Sequence, residues 1–177
     1  MFGARGARAA AESAGPLLLA AVPDLDGPYR RTALIAAPIG DKHIGFILNR
    51  ASDVKLAALF PDQPSSAKVA DPVYIGGPEM AGALFAVVPS HPGGMAMQLF
   101  GDIHVTGSSE NLLKLASQPA AEVRFFAGFV GWMPGEREQE LEDDCWLVAE
   151  PDTALLFRRD TATMWEELVK KAKAIQA

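Results

Sequence analysis

The sequence predicts a mixed α/β (α+β) fold built on a largely antiparallel sheet. Three observations carry that prediction. Apolar runs of strand length recur along most of the chain. The links between neighbouring runs are mostly too short to hold a crossover helix, which argues against a doubly wound parallel sheet. Only the last segment keeps a long helical period. The 177 residues, 49% apolar and 21% charged, suit one soluble globular domain with one substantial core.

Residues 1–14, MFGARGARAAAESA, read as a flexible, Ala-rich N-terminal arm ahead of a single domain over 15–177. Arg5 and Arg8 before apolar residues imitate a signal peptide, but Glu12, Gly15 and Pro16 interrupt the pattern. No run approaches the roughly 20 apolar residues of a membrane span, so no membrane contact is expected and the cytoplasm is the expected location. Residues 17–21 are a continuous apolar run and read as a buried strand; PDLDGPYRR is a loop. Runs at 32–39 and 44–48 flank a short GDK link and form a hairpin. Leu56, Leu59 and Phe60 suit a short helix stopped by Pro61, and PDQPSSAKVADP is a loop. Strands follow at 73–75 and 84–88, then a hairpin of 95–100 and 103–106 around Gly101-Asp102. Ser108 or Ser109 caps a helix reaching Ser117. A strand over 123–130 is broken by Gly128, 136–142 are helical, 145–149 form a strand and 154–157 another. Trp165, Leu168, Val169 and Ala172 make one apolar face of the final helix, with Thr163 and Glu166 placed for a capping box.

The chain carries 22 acidic and 16 basic residues, a net charge of -6. Residues 1–75 are nearly balanced, so the excess lies in the remainder, much of it in the run from Glu136 to Asp144. The simpler reading of that run is a solvated helix; the functional one is a docking surface or a cation site. An acidic chain is poorly suited to neutralising phosphates, which argues against direct nucleic-acid binding.

No reactive constellation stands out. His43, His91 and His104 have no metal-ligand spacing, no cofactor motif appears, and neither a metal nor a cofactor is expected. Cys145 lies between Asp144 and Trp146, where acidic neighbours oppose the thiolate, so it reads as an inert thiol. The Gly76-Gly77-Pro78 turn lacks the spacing of a phosphate loop. Asn49-Arg50 at a strand end either orients a ligand or ties down the next loop. In residues 125–141, Gly128, Gly131 and Gly135 alternate with Phe129 and Trp132. That alternation allows a close-approach ligand site or an indole plugging the core.

Five blocks in order, GPLLLAAVPDLDGPYRRTALIA, GFILNR, VYIGGP, GFVGWMPGEREQEL and DCWL, resemble the AlgH/YqgE family of small bacterial proteins. Against the family pattern G-x-x-G-W-x-x-G-Q-L-E-x-E, residues Gly128, Gly131, Trp132, Gly135, Glu138 and Glu140 match, while Glu136 and Arg137 replace the Gln and Leu. The family's His after the second strand has PIGDK in its place, with His43 later, and Ala51 replaces the Pro after N-R. The resemblance implies a bifurcated sheet folded into a pseudo-barrel with flanking helices. It implies no settled biochemistry; family members are often labelled transcriptional regulators. This chain has neither a helix-turn-helix pair nor a basic recognition helix to match that label.

The reading is therefore a non-enzymatic cytoplasmic regulatory or binding module, acting on transcription indirectly through a protein partner or a small-molecule ligand. Its candidate ligand site gathers Asn49, Arg50, Gly76, Gly77, Pro78, Gly128, Gly131, Trp132, Gly135 and Glu138 into one recess. Two alternatives stand beside it: an enzyme using Glu138 or Glu140 as acid or base, and a direct DNA-binding regulator.

Overall fold

The computed structural model describes residues 15–118 and 122–176; the arm expected over 1–14 lies outside the described residues. Ten strands are β1 (Leu17–Ala21), β2 (Ala33–Ile39), β3 (Lys42–Ile47), β4 (Ala51–Lys55), β5 (Pro72–Ile75), β6 (Glu79–Val88), β7 (Met97–Phe100), β8 (Ile103–Thr106), β9 (Arg124–Trp132) and β10 (Trp146–Ala149). Five helices are α1 (Leu56–Leu59), α2 (Ser109–Ser117), α3 (Glu136–Glu142), α4 (Thr153–Leu156) and α5 (Met164–Gln176), with a 3-10 turn at Pro64–Lys68.

The strands form one path, β10-β1-β2-β3-β9-β6-β8-β7, whose pairings are antiparallel. At β9 the sheet divides. The C-terminal end of β9 pairs with β3, as in His43↔Trp132. Its middle takes β5 in parallel, Tyr74↔Phe126 and Ile75↔Ala127, and β4 adds to β5. The bifurcated sheet curls into a half-barrel, because one core joins residues of both wings: Leu18 and Ile35 from β1 and β2 with Leu99, Val105 and Phe126 from β7, β8 and β9. Helix α5 closes this core with Met164, Leu168 and Val169.

The outer face of β1 and β2 is buried too. Leu17, Leu19, Leu34 and Ala36 pack there with Trp132, Trp146 and Leu141 of α3. Burial on both faces explains why these two strands read as continuous apolar runs. A third cluster puts Leu112, Leu115 and Ala116 of α2 against Val73, Ala86 and Phe125 on the other face of the second wing. No helix among the described residues is long and apolar enough to cross a membrane.

Four expectations need correction. Ala51–Lys55 is a strand that the sequence hides; it lies at a sheet edge, mostly exposed, and needs no apolar alternation. Residues 153–156 are helical, since the Asp152 side chain accepts the Ala154 N–H at 3.0 Å and starts a turn. Strand β9 runs unbroken through Gly128 to Trp132. Its partner β6 absorbs the irregularity: Glu79 faces Phe129 and Leu84 faces Ala127, so residues 80–83 bulge opposite Gly128 alone. At α5, Thr163 donates to Glu167 (3.1 Å) while Glu166 pairs with Arg31, a different arrangement from the expected box.

Candidate functional site

The division of the sheet requires three backbones to meet, and the candidate glycines stand at that meeting. The Ile47 N–H donates to the Gly76 carbonyl at 2.9 Å, the Gly76 N–H to Ala127 at 2.8 Å, and the Ile75 N–H to Arg50 at 2.8 Å. Segments 47–50, 75–77 and 127–129 thus converge as the sequence suggests. They converge in close contact. A Cβ on Gly76 would lie 2.3 Å from the Gly128 oxygen, and one on Gly77 would lie 2.2 Å from the Phe129 carbonyl carbon. Gly128 itself has φ +71, a conformation that glycine adopts without steric cost. These glycines remove side chains so that strands can cross, leaving no space between them for a ligand.

Asn49 and Arg50 hold down the loop over residues 22–32. The Asn49 Oδ1 accepts the Ala33 N–H at 3.0 Å and its Nδ2 donates to the Arg31 carbonyl at 2.9 Å. The Arg50 guanidinium donates to the Pro28 carbonyl. Of the two readings open for this pair, the structure displays the loop anchor.

Trp132 is only 3% exposed. Its ring lies over Gly45, where a Cβ would come within 2.7 Å of the indole. The indole N–H donates to Glu140 Oε2 at 2.5 Å, and the Trp146 indole N–H donates to the same oxygen at 3.2 Å. Glu140 therefore points inward from a run whose Glu136, Glu142, Asp143 and Asp144 are exposed, and it holds two core tryptophans. Tyr29 packs edge-on to Trp146 with centroids 6.0 Å apart. Burial pushes the Tyr29 hydroxyl above its ordinary pKa; Glu140 and Glu79 add to the rise and Arg50 opposes it. Gly45, Tyr29 and Glu140 are the residues of this corner that sequence reasoning did not place in it. Glycine at 45 was a detectable signal, since a strand that gives up a side chain leaves room for a partner.

Gly135 opens α3 with φ +84, while Pro78 and Gly131 are exposed. The Glu138 Oε1 is 3.9 Å from His43 Nδ1 and 4.0 Å from Arg137 Nη2. Arg137 is fully buried and donates to the Gly15 carbonyl at 3.2 Å; burial lowers its pKa. The described residues hold no group of three or more His, Cys, Asp or Glu side chains placed for a metal ion. Cys145 is partly buried, and its pKa is raised by desolvation first and then by Glu140, Asp143 and Asp144. An ordinary thiol with pKa about 8.5 is roughly a quarter ionised at pH 8. Iodoacetamide should therefore alkylate Cys145 more slowly at pH 8 than it alkylates glutathione. A rate at or above that of glutathione would contradict an inert thiol.

A hollow lies on the second wing of the sheet. It is a groove of about 210 Å³ between β4 with α1 and the bulged half of β6. Val54, Leu59, Val73, Leu84 and Ala127 supply most of its apolar lining, and no ionisable side chain contributes. Ser52 at its edge already donates to the Val73 carbonyl at 2.5 Å. Val54 and Leu59 are 41% and 47% exposed. None of the ten residues expected to form a recess lines this groove, although Gly128 adjoins its floor at Ala127.

Fold and site together define a mixed α+β half-barrel whose polar corner serves its own scaffold and whose open groove is apolar. The chain belongs to the AlgH-like family (DUF179), whose model matches residues 18–175. A UPF0301 protein of Magnetococcus marinus is 31% identical over 166 residues, covering 89% of this chain and 87% of that one. A UPF0301 protein of Chlorobaculum tepidum is 29% identical over 164 residues, covering 88% and 84%. The solution structure of the AlgH protein from Pseudomonas aeruginosa superposes with a TM-score of 0.74 at 24% identity, covering 88% of this chain and 86% of that chain. That likeness shows a shared fold.

Proposed function

We propose that this chain is a non-enzymatic, cytoplasmic binding module that takes a polypeptide segment in the groove between β4 and β6 and affects transcription indirectly through that contact. One observation carries the reading: the groove is apolar and lacks ionisable groups, while Asn49, Arg50, Trp132 and Glu140 are spent on internal hydrogen bonds. Its volume is below the roughly 300–1,000 Å³ of sites for drug-sized ligands, which favours a side-chain row over a small molecule. The net charge of -6 disfavours direct DNA contact. In this reading the glycine crossing and the Asn49–Arg50 anchor position the floor of the groove.

Selection from a peptide library, followed by chemical-shift mapping on the labelled chain, tests the proposal. Shifts at Val54, Leu59, Leu84 and Ala127, lost in a Val54→Asp variant, are expected. Shifts confined to Arg50, Gly135 and Glu138 would move the site to the polar corner, and the absence of binders would end the proposal.

A second reading is favoured by one contact. The Glu138 carboxylate within 3.9 Å of His43 is the kind of pair that performs acid–base chemistry. A turnover found in a substrate screen and abolished by Glu138→Gln would establish it over the first.

A further inference from the structure

We infer that the inside of the half-barrel, where β9 begins, is a binding site for a small carboxylate, which takes a hydrogen bond from Arg124 Nη1 and recruits Arg159 from Asp71. Arg124 opens β9, and strand alternation sets it on the same face as Phe126, inside the half-barrel and opposite the groove face that carries Ala127. It is 1% exposed, a cation enclosed by the fold. Its guanidinium lies 4.3 Å from the centroid of the Tyr74 ring. Its Nη2 donates to the Arg158 carbonyl, in the loop that joins α4 to α5. Its Nη1 is buried and has no hydrogen-bond partner among the described residues. A buried guanidinium is costly to desolvate, and a donor left bare adds to the cost. A carboxylate on Nη1 removes both penalties through a charge-assisted hydrogen bond.

The carboxylates nearby are committed elsewhere. Glu167 holds Arg158 at 2.6 Å, Asp71 holds the Arg159 Nε at 3.3 Å, and the Asp160 side chain accepts the Ala162 N–H at 3.1 Å. No carboxylate pairs with Arg124 among the described residues, although Asp71 is near enough to act on its charge and Arg159 to oppose it. One buried positive charge is thus left unmatched, and a monoanion cancels it. A phosphate dianion would leave surplus negative charge in the same enclosed place, so the site favours a carboxylate. Arg159 is the movable part. Its side chain is 72% exposed, and exposed ion pairs such as its pair with Asp71 are weak. An arriving carboxylate therefore gains a second guanidinium at small cost.

The test uses the full chain with nitrogen-labelled arginines, titrated at constant ionic strength with acetate and, in parallel, with phosphate and chloride. Acetate should move the Arg124 and Arg159 side-chain signals to saturation, and it should bind more tightly than either other anion. Asp71→Asn, which releases Arg159, should tighten acetate binding about two- to fivefold, and Arg159→Gln should weaken it by a similar factor. Arg30→Gln, at an exposed arginine elsewhere, should change nothing. Arg124→Lys keeps the charge but loses the planar fork and should abolish saturation. If that variant does not fold, the Asp71 and Arg159 variants decide. A shift at Arg124 that never saturates, or an affinity that neither Asp71→Asn nor Arg159→Gln alters, overturns the inference. So does equal binding of chloride or phosphate, which would show general screening of positive charge.

Discussion

Gly128→Ala should destabilise the protein by about 2–5 kcal/mol, a large fraction of a typical domain's stability. Two costs act together. The position has φ +71, where an L side chain costs roughly 1–2 kcal/mol. The new Cβ would also stand 2.3 Å from the Gly77 oxygen and 2.9 Å from the Glu79 oxygen. Both are backbone atoms fixed by the division of the sheet, so relief requires moving strands rather than rotating a side chain, and overpacking of that kind costs a further 1–3 kcal/mol or so. Gly131→Ala is the control. Its Cβ would meet nothing closer than 3.5 Å, so the change should stay within about 0.5 kcal/mol. Urea denaturation of both variants decides the matter. A Gly128→Ala midpoint close to the parent would mean that the crossing is looser than its distances imply.

Glu140→Ala should cost about 2–4 kcal/mol, whereas Glu142→Ala, two residues on in the same helix and exposed, should cost about 0.5 kcal/mol or less. The two substitutions remove the same formal charge, so the difference isolates contact from charge. Glu140 accepts both indole N–H groups, and its loss leaves Trp132 and Trp146, 3% and 6% exposed, without that acceptor. Leaving a buried donor unsatisfied costs about 1–3 kcal/mol each, reduced wherever water can enter. Tryptophan fluorescence gives an independent readout, since hydration of the indoles should shift emission to the red. Equal stability for the two variants would show that the shared carboxylate is incidental to the corner.

Much of the fold was legible in the residues. Strands β1 and β2, buried on both faces, announced themselves as unbroken apolar runs, and α5 did so through Trp165, Leu168, Val169 and Ala172. Ser108 was readable as a cap, and its side chain does accept the Asn111 N–H at 3.2 Å. Strand β4 was not legible, because an exposed edge imposes no pattern on Ala51–Lys55. The candidate site was legible only as a set of segments. Asn49-Arg50, Gly76-Gly77 and Gly128 do meet, but glycine spacing is the same whether a backbone or a ligand makes the close approach. The groove escaped notice altogether, since its lining is drawn from five separate elements, β4, α1, β5, β6 and β9, and consists of small and apolar residue types that carry no functional signal.

The amino-acid sequence by itself determined the periodicities, the turn chemistry, the acidic balance and the ordered blocks that mark the family, because each depends on neighbours along the chain. Only the tertiary structure decided that Glu140 turns inward to two indoles, that three glycines are consumed where a sheet divides, and that the groove between β4 and β6 is apolar. Those outcomes depend on which distant backbones lie within a few ångströms of one another. That spacing follows from strand pairing across the whole domain rather than from any local run of residues.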